Sequence, residues 1–343
     1  MNTHPHSTES LPTTARAALL RAVGEALTLT RIDLPPMTPD RVLVRVLAAG
    51  LNPLDAKIRI GKAAHAAHPL PAVLAKDMVG EVIAVGAAVT GFAPGDRVFG
   101  MTGGVGGHQG ALAEYQVADP ALLAQLPASV SVREAAATPL VFITAWEALV
   151  DRARVGPGMK VLVHGGAGGV GHVAIQIARA RGAEVYATGS AHDAALIAGL
   201  GARFIDYRAE AVEAYVAAHT GGEGFDVILD TVGGATLDAS FAAVRRYTGQ
   251  VVSILGWGSH SLAPLSFRGA SYSGVFTLYP LISGQGRAHH GAIMAEAARL
   301  FAEGRLCIRV DPRRFDLSQA EAAYGHLESG QASGKVVVEV AGT

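Results

Sequence analysis

A glycine-rich turn between a strand-like run and a helix-like run constrains the fold of this chain more than any other feature. In KVLVHGGAGGVGHVAIQIA, residues 160–178, three glycines stand in G-x-G-x-x-G register after an apolar run and before an amphipathic stretch. Such a turn needs glycine because its dihedrals are unusual and because a Cβ would hold a pyrophosphate away from the helix N-terminus. The pattern predicts a dinucleotide-binding βα unit; the alternative is a glycine turn that closes an unliganded one. The residues predicted to contact the cofactor are Gly166, Ala167, Gly168, Gly169, Val170 and Gly171.

The turn belongs to a longer alternation of strand-like and helix-like segments. The strand-like runs begin near Val161, Glu184, Phe204, Phe225, Val251 and Gly274. Helix-like stretches, clearest over residues 170–182 and 235–246, lie between them. This alternation predicts the α/β class, with a doubly wound parallel sheet of the Rossmann type. The first 125 residues are instead mainly β in character, and a strand predicted over 335–340, after a helix over 292–302, could pair back into that first domain.

The end of the second strand of the alternation bears on which dinucleotide binds. An NAD site usually places an acidic residue there for the ribose 2′-hydroxyl, whereas this chain has Thr188, Gly189 and Ser190. Ser190, with Tyr207 and Arg208 after the third strand, could hold a 2′-phosphate, which favours NADP(H). The alternative is that Ser190 caps the following helix and Arg208 is solvated.

Composition excludes several other functions. The 343 residues carry a formal net charge of -1, so no charge excess points to nucleic acid or to an anionic membrane surface. Cys307 is the single cysteine, which rules out an internal disulfide and fits a reducing compartment. The start, MNTHPHSTES, has no pattern of a secretory signal, and no apolar run is long enough to span a membrane. We therefore expect a soluble, cytoplasmic protein.

Motifs along almost the whole chain resemble those of the medium-chain dehydrogenase/reductase superfamily, especially its zinc-free quinone oxidoreductase-like branch. They include AAGLNPLDAKIRIG at 48–61, DMVGEVIAVGAAVTGFAPGDRVFG at 77–100, ITAWEAL at 143–149, FDVILDTVGG at 225–234 and GKVVVEV at 334–340. The resemblance implies a mainly β GroES-like catalytic domain formed by both chain ends, with the Rossmann domain between them and the substrate in the cleft. The expected ranges are 1–140 and 286–343 for the catalytic domain and 141–285 for the NADP-binding domain.

The sequence departs from the zinc-dependent members of that superfamily. Where those place a metal-binding Cys, this chain has Leu51 or Asn52, and where they place a ligand His it has Lys76. A lysine ammonium cannot be a neutral zinc ligand, and none of the thirteen histidines matches the spacing of a catalytic zinc site. We therefore expect no bound metal.

The resemblance also implies site residues. In similar enzymes an Asn and an Asp of an Asn-Pro-x-Asp turn border the nicotinamide and substrate, which here correspond to Asn52 and Asp55, and Thr144 matches a residue that touches the nicotinamide. Lys57 replaces a frequent tyrosine and could stabilise an enolate, although a solvated surface lysine is the alternative. Positions that contact the cofactor in similar proteins correspond to Val232, Leu255, Gly256 and Phe276. The loop 101–110, with five glycines, is predicted to be a mobile lid, with His108 as a candidate proton donor.

Together these features predict an oxidoreductase that transfers hydride from NADPH to a quinone or to the C=C bond of an α,β-unsaturated carbonyl without zinc. A zinc-type alcohol dehydrogenase and a noncatalytic NADPH-binding protein are the alternatives. The segment SYSGVFTLYP, 271–280, is expected to be the sixth strand and an exposed sheet edge. In similar proteins that strand pairs across a two-fold axis, which implies a homodimer.

Overall fold

The computed structural model describes residues 11–341. The prediction that the chain starts without a secretory signal concerns residues 1–10 and lies outside the described residues. Within 11–341 no helix has the length and apolar character needed to cross a membrane.

Strands and short helices alternate along the described chain. The strands are β1 (Thr14–Leu20), β2 (Thr28–Asp33), β3 (Val42–Gly50), β4 (Ala72–Val73), β5 (Asp77–Val85), β6 (Arg97–Met101), β7 (Tyr115–Ala118), β8 (Leu123–Gln125), β9 (Lys160–His164), β10 (Glu184–Gly189), β11 (Arg203–Asp206), β12 (Val227–Asp230), β13 (Gln250–Ser253), β14 (Ser271–Gly274), β15 (Phe315–Asp316) and β16 (Val337–Glu339). The helices are α1 (Pro53–Arg59), α2 (Val132–Ala137), α3 (Pro139–Trp146), α4 (Gly169–Ala180), α5 (Ala194–Gly199), α6 (Val212–Thr220), α7 (Ala235–Ala243), α8 (Ala263–Arg268), α9 (Tyr279–Ser283), α10 (Arg287–Ala302) and α11 (Ala320–Glu328). A π-helical turn, Glu147–Arg152, continues α3.

The middle of the chain forms a six-stranded sheet in the order β11-β10-β9-β12-β13-β14, with every pair parallel. This is the strand order of a doubly wound Rossmann sheet, as the sequence predicts. The strands are short apolar runs because helices cover both faces of a parallel sheet. Helix α4 buries the face that carries Val173, Ala174 and Ile177.

The two chain ends share a second, mostly antiparallel sheet. Its order is β15-β16-β3-β5-β6-β8, β7 also pairs with β3, and a separate small sheet has the order β2-β1-β4. Strand β16 pairs with β3, with Val337 opposite Gly50. The prediction that the end of the chain returns to the first domain is confirmed, and the exact domain limits stay predictions.

The sixth strand is shorter than the sequence suggests. Strand β14 ends at Gly274, and the chain then turns into α9 at Tyr279, so the prediction of one strand over 271–280 is wrong in its second half. The N–H of Val275 donates to the Ser253 carbonyl of β13, at 3.1 Å. The outward-facing N–H groups of this edge are therefore those of Tyr272 and Gly274, because alternate residues of a strand point to opposite sides.

Candidate active site

The glycine turn lies at the carboxyl edge of the parallel sheet, between β9 and α4. Gly165 has φ +72°, and a Cβ there would lie 2.7 Å from the Thr231 hydroxyl, so the turn needs glycine at this position. Cβ atoms at Gly166 and Gly171 would lie 2.7 Å from the Ala187 Cβ and 2.1 Å from the Gly165 carbonyl oxygen. Gly166 and Gly171 therefore pack the turn against the sheet and do not line the cleft.

Gly168 and Gly169 are the exposed part of the same turn. Gly168 is the N-cap of α4, which has no side-chain cap, so the first N–H groups of this twelve-residue helix have no intrahelical partner. Such N–H groups and the helix dipole favour an anion, and the absence of side chains at both glycines leaves room for a pyrophosphate. The turn thus fits the dinucleotide that the sequence predicts.

Two cavities meet at this turn. The outer cavity, about 660 Å³, lies over β10 and β12 and is lined by residues that include Ala167, Gly168, Ser190, Tyr207, Arg208 and Val232. The inner cavity, about 340 Å³, lies toward the other domain and is lined by residues that include Asn52, Lys57, Thr144, Gly168, Gly169, Val170, Leu255, Phe276 and Lys335. Gly168 and Thr231 belong to both cavities, so an extended ligand can pass from one to the other.

Ser190 and Arg208, two polar residues of the outer cavity, already have partners within the protein. The Ser190 hydroxyl donates to Asp193 Oδ2 at 2.7 Å, and the two residues form a capping box at the start of a short helical turn. The structure thus shows the alternative capping role for Ser190. Arg208 lies beside the Tyr207 ring, and its Nε donates to the Tyr207 hydroxyl at 3.2 Å. The guanidinium is exposed, so its remaining donors can reach a bound phosphate.

His164, at the carboxyl end of β9, is a neutral residue of the outer cavity. Burial lowers the pKa of its imidazole to about 4, and the nearby Asp230 opposes this only in part. Its Nδ1 lies 3.2 Å from the Thr188 hydroxyl. An uncharged imidazole here adds no positive charge to the phosphate side of the cleft.

A buried polar network forms one wall of the inner cavity. The Asn52 side-chain amide donates to Asp77 Oδ2 at 2.9 Å, and its Oδ1 accepts from the Lys335 ammonium. Asp77 also accepts from the Leu140 backbone N–H at 2.8 Å. Burial raises the pKa of the Asp77 carboxyl to about 6, although Lys335 opposes the shift, and burial lowers the pKa of Lys335. The Asn52 side chain is thus held at the cavity wall by residues from two other segments of the chain, Asp77 and Lys335.

Asp55 does not lie where the resemblance implies. It is the N3 residue of α1, accepts from the Asn52 backbone N–H at 2.8 Å, and forms an ion pair of 2.5 Å with Lys76. Both side chains of the pair are fully buried, and neither lines the inner cavity. The turn that presents Asn52 to the cavity directs Asp55 to the protein interior. Asp55 therefore contacts Asn52 from the interior side, through the Asn52 backbone N–H.

Other predicted residues lie at different distances from the cleft. Lys57 is exposed at the wall of the inner cavity. Gly256 lines a third space, the side cavity of about 820 Å³, which shares His65, Trp257 and Phe276 with the inner one. His108 is not at either cofactor cavity: its Nε2 lies 3.0 Å from an Arg287 nitrogen, and backbone bonds tie the loop 101–110 to Val73 and Ala67.

Several residues that line the cavities are not predicted from the sequence. Lys335 lies within the motif GKVVVEV, which predicts only a strand. The burial of the Lys335 ammonium beside Asn52 depends on residues far away in sequence. Thr277 and Trp257 lie in loops that follow β14 and β13, where strand periodicity gives no orientation. The His65 and Trp257 rings, 4.8 Å apart, close the inner cavity toward the side cavity.

Metal ligands are not grouped in the described part of the chain. Across residues 11–341 no cluster of three or more His, Cys, Asp or Glu side chains could hold a metal ion. The residue at the position of the zinc-ligand histidine, Lys76, is engaged by Asp55. The side-chain donors at the inner cavity include ammonium, amide and hydroxyl groups, with the His65 and Trp257 rings beside them.

The structure combines a Rossmann sheet with a mainly β domain built from both chain ends, and the carboxyl edge of the sheet faces that domain. This combination defines the class of two-domain dehydrogenases and reductases. Residues 38–128 match the family model described as alcohol dehydrogenase GroES-like domain, and residues 200–338 match the one described as zinc-binding dehydrogenase. The chain belongs to the medium-chain dehydrogenase/reductase superfamily, in its zinc-free quinone oxidoreductase-like branch. Members of this superfamily bind nicotinamide cofactors.

Curated relatives fall into two groups by length. The spectinabilin polyketide synthase system protein NorB of Streptomyces orinoci is 36% identical over 88% of this chain, which spans only 13% of that protein. The 2-methylene-furan-3-one reductase of Solanum lycopersicum is 33% identical over 90% of this chain and 74% of the relative. The chloroplastic NADPH-dependent alkenal/one oxidoreductase of Arabidopsis thaliana is 34% identical with the same two coverages.

Solved structures agree with this assignment. An alcohol dehydrogenase superfamily protein from Novosphingobium aromaticivorans has a TM-score of 0.93 and 50% identity, covering 95% of this chain and all of that one. The quinone oxidoreductase from Coxiella burnetii has a TM-score of 0.79 and 30% identity, covering 96% of this chain and all of that one.

Proposed function

We propose that this protein is an NADPH-dependent reductase of C=C bonds conjugated to a carbonyl, or of quinones, and that it works without zinc. The observation that carries the proposal is the inner cavity, where the glycine turn meets hydroxyl, amide and ammonium donors and no set of metal ligands among the described residues. In alcohol oxidation by a zinc-type enzyme, the metal is the Lewis acid that stabilises the alkoxide. Reduction of an electron-poor C=C bond or a quinone needs only hydrogen-bond donors for the developing oxyanion.

The residues around the two cavities suit this cofactor. The N–H groups at the start of α4 would hold the pyrophosphate, and Tyr207 and Arg208 would face the 2′-phosphate in the outer cavity. Thr144 and Asn52 would border the nicotinamide in the inner cavity. When bound, the dihydronicotinamide supplies the hydride.

The chain's own residues would bind and orient the substrate. The exposed Lys57 ammonium can donate to a carbonyl oxygen from the mouth of the inner cavity, while Leu140, Val141 and Leu278 on its walls limit the entry of water. Lys335 is held by the Leu51 carbonyl at 2.9 Å and by Asn52, so it fixes the geometry of the wall. The relatives named as an alkenal/one oxidoreductase and a furanone reductase support this substrate class.

The direct test is NADPH oxidation by the metal-chelated protein over a panel of enals, enones, an enoyl thioester and quinones. We expect turnover with at least one panel member, unchanged after exhaustive chelation. Activity that disappears on chelation and returns with added zinc would indicate an alcohol dehydrogenase-type site. Tight NADPH binding without turnover on any panel member would indicate a noncatalytic binding protein.

A further inference from the structure

A line of hydrogen-bonded polar side chains runs from the inner cavity into the protein. The Oγ1 atoms of Thr144 and Thr277 lie 3.1 Å apart at the cavity wall. Thr277 donates to Glu147 Oε2 at 2.9 Å, and the other carboxylate oxygen of Glu147 lies 3.1 Å from His290 Nε2. Helix α3, the π-helical turn, the loop after β14 and helix α10 each contribute one member, so the tertiary fold brings the line together.

The line joins two separate spaces. Thr144 and Thr277 line the inner cavity, whereas Glu147 lines the side cavity. At the side cavity Trp257 is 56% exposed and Tyr279 is 50% exposed, so water reaches this space. The Glu147 side chain is 13% exposed and the His290 side chain only 1%. Glu147 therefore contacts solvent on one side and, through two hydroxyls, the substrate space on the other.

The protonation state of Glu147 sets the direction of the hydroxyl groups. An ionised carboxylate only accepts, so Thr277 and His290 both donate to it, while the single proton of Thr144 goes to the Leu140 carbonyl. A protonated Glu147 donates to Thr277 instead, and Thr277 then donates to Thr144. The Thr144 hydroxyl donates to the Leu140 carbonyl at 2.7 Å, and its proton must turn from that carbonyl to reach an acceptor in the cavity.

We propose that Glu147, supported by His290, supplies the proton of the reduction through the hydroxyls of Thr277 and Thr144. This inference rests on the proposed function and narrows it to substrates that need a proton at carbon, the α,β-unsaturated carbonyls. Thr144 is the catalytic residue of the line, since its hydroxyl reaches the substrate, and His290 is a positioning residue that holds Glu147.

Atoms and electrons balance in this scheme. The substrate gains a hydride at its β-carbon, with the dihydronicotinamide as the two-electron reductant, and the C=C electron pair moves toward the carbonyl to give an enolate. Protonation then breaks the Thr144 O–H bond and forms a C–H bond at the α-carbon. Thr144 regains a proton from Thr277, Thr277 from Glu147, and Glu147 from water in the side cavity.

The test uses an α-methyl enone, for which protonation at the α-carbon creates a stereocentre. In the wild type the proton comes from one side, and we expect one enantiomer. Glu147→Gln and Thr277→Val each interrupt the line, so kcat should fall about 100-fold, the range of general acid catalysis, and the product should become racemic at that carbon. Thr277→Ser restores the hydroxyl and should recover both rate and stereochemistry.

A matched control separates proton transfer from loss of stability. His326, like His290, is buried with its Nε2 3.1 Å from a carboxylate oxygen, that of Asp311, but it lies in α11. We expect His290→Asn to lower kcat about tenfold and His326→Asn to leave it within about twofold, although both lose stability. NADP⁺ affinity, measured by tryptophan fluorescence, should stay the same in all variants.

A readout without cofactor completes the test. In ¹⁵N-histidine-labelled protein, the Nε2–H proton of His290 should exchange slowly, and Glu147→Gln should shift its resonance. An unshifted resonance, or wild-type rate and stereochemistry in Glu147→Gln and Thr277→Val, overturns the proton route and leaves the proposed function standing. A wild type that reduces no enone overturns the proposed function and the route with it.

Discussion

Replacement of Lys76 by methionine is expected to destabilise the protein strongly, because it leaves a buried carboxylate without its counter-ion. The side chains of Lys76 and Asp55 are both fully buried, and their charged atoms lie 2.5 Å apart. Breaking a buried ion pair from one side costs about 3–5 kcal/mol. Asp55 keeps its bond from the Asn52 backbone N–H, so we expect Lys76→Met to cost about 3 kcal/mol, near the lower limit.

Guanidinium chloride unfolding at constant pH measures this cost. The double variant Asp55→Asn/Lys76→Met removes both charges, and we expect it to recover about 2 kcal/mol of the loss, because a neutral amide is less costly to bury than an unpaired carboxylate. Lys62→Met is the control, since Lys62 is exposed and such substitutions stay within about 0.5 kcal/mol. A Lys76→Met variant that loses less than about 1 kcal/mol would refute the reasoning.

Four further outcomes are expected. Gly168→Val should abolish NADPH binding in a folded protein, because the side chain fills the space before the α4 N-terminus; unchanged affinity by calorimetry would contradict this. Arg208→Ala should reduce the ratio of NADPH to NADH affinity about tenfold, through loss of one charge-assisted contact, as fluorescence titration of both cofactors can measure. Asp77 has a folded pKa of about 6 against 3.8 when unfolded, so the folded state holds an extra proton between these values, and stability falls as pH rises through this window. The free energy of unfolding should therefore fall by about 3 kcal/mol between pH 4 and 6 in the wild type, and Asp77→Asn should abolish this fall in unfolding curves recorded over that range. If the protein forms the predicted edge-to-edge dimer, Gly274→Pro should release monomers in light scattering, and a wild-type monomer at micromolar concentration would contradict that interface.

The Rossmann half was predictable because its strands are short apolar runs separated by glycine turns and amphipathic helices. The limit of β14 was not, because Val275 to Leu278 are apolar or β-branched and continue the strand pattern. There the chain leaves the sheet and places Thr277 against Thr144, a contact 133 residues apart in sequence. For the same reason the sheet edge is tested with Gly274→Pro, which removes an outward donor, since a proline at Val275 would break a bond to β13 within the subunit.

Site residues were predictable where a motif sets both position and direction. Asn52 follows a strand and caps a helix, so its side chain faces the cleft; the same helix start directs Asp55 inward, which a motif match cannot show. Ser190 has an acid three residues later, and that local bond competes with the cofactor role. Lys335 carries no local signal, because its environment depends on segments near Leu51 and Asp77.

The return of β16 to β3 has a consequence for how the protein is made. Lys335 and Asn52 are 283 residues apart in sequence, and at about 5–20 residues per second a ribosome needs roughly 15–60 s to add that length. During this time β3 has an unpaired edge on the side that β16 later covers, next to the apolar Val46, Ala48 and Ala49. The Rossmann segment, whose strands are contiguous in sequence, can fold while the ribosome is still adding the rest. Until β16 is made, this edge of β3 is a place where the nascent catalytic domain can pair with another chain or bind a chaperone.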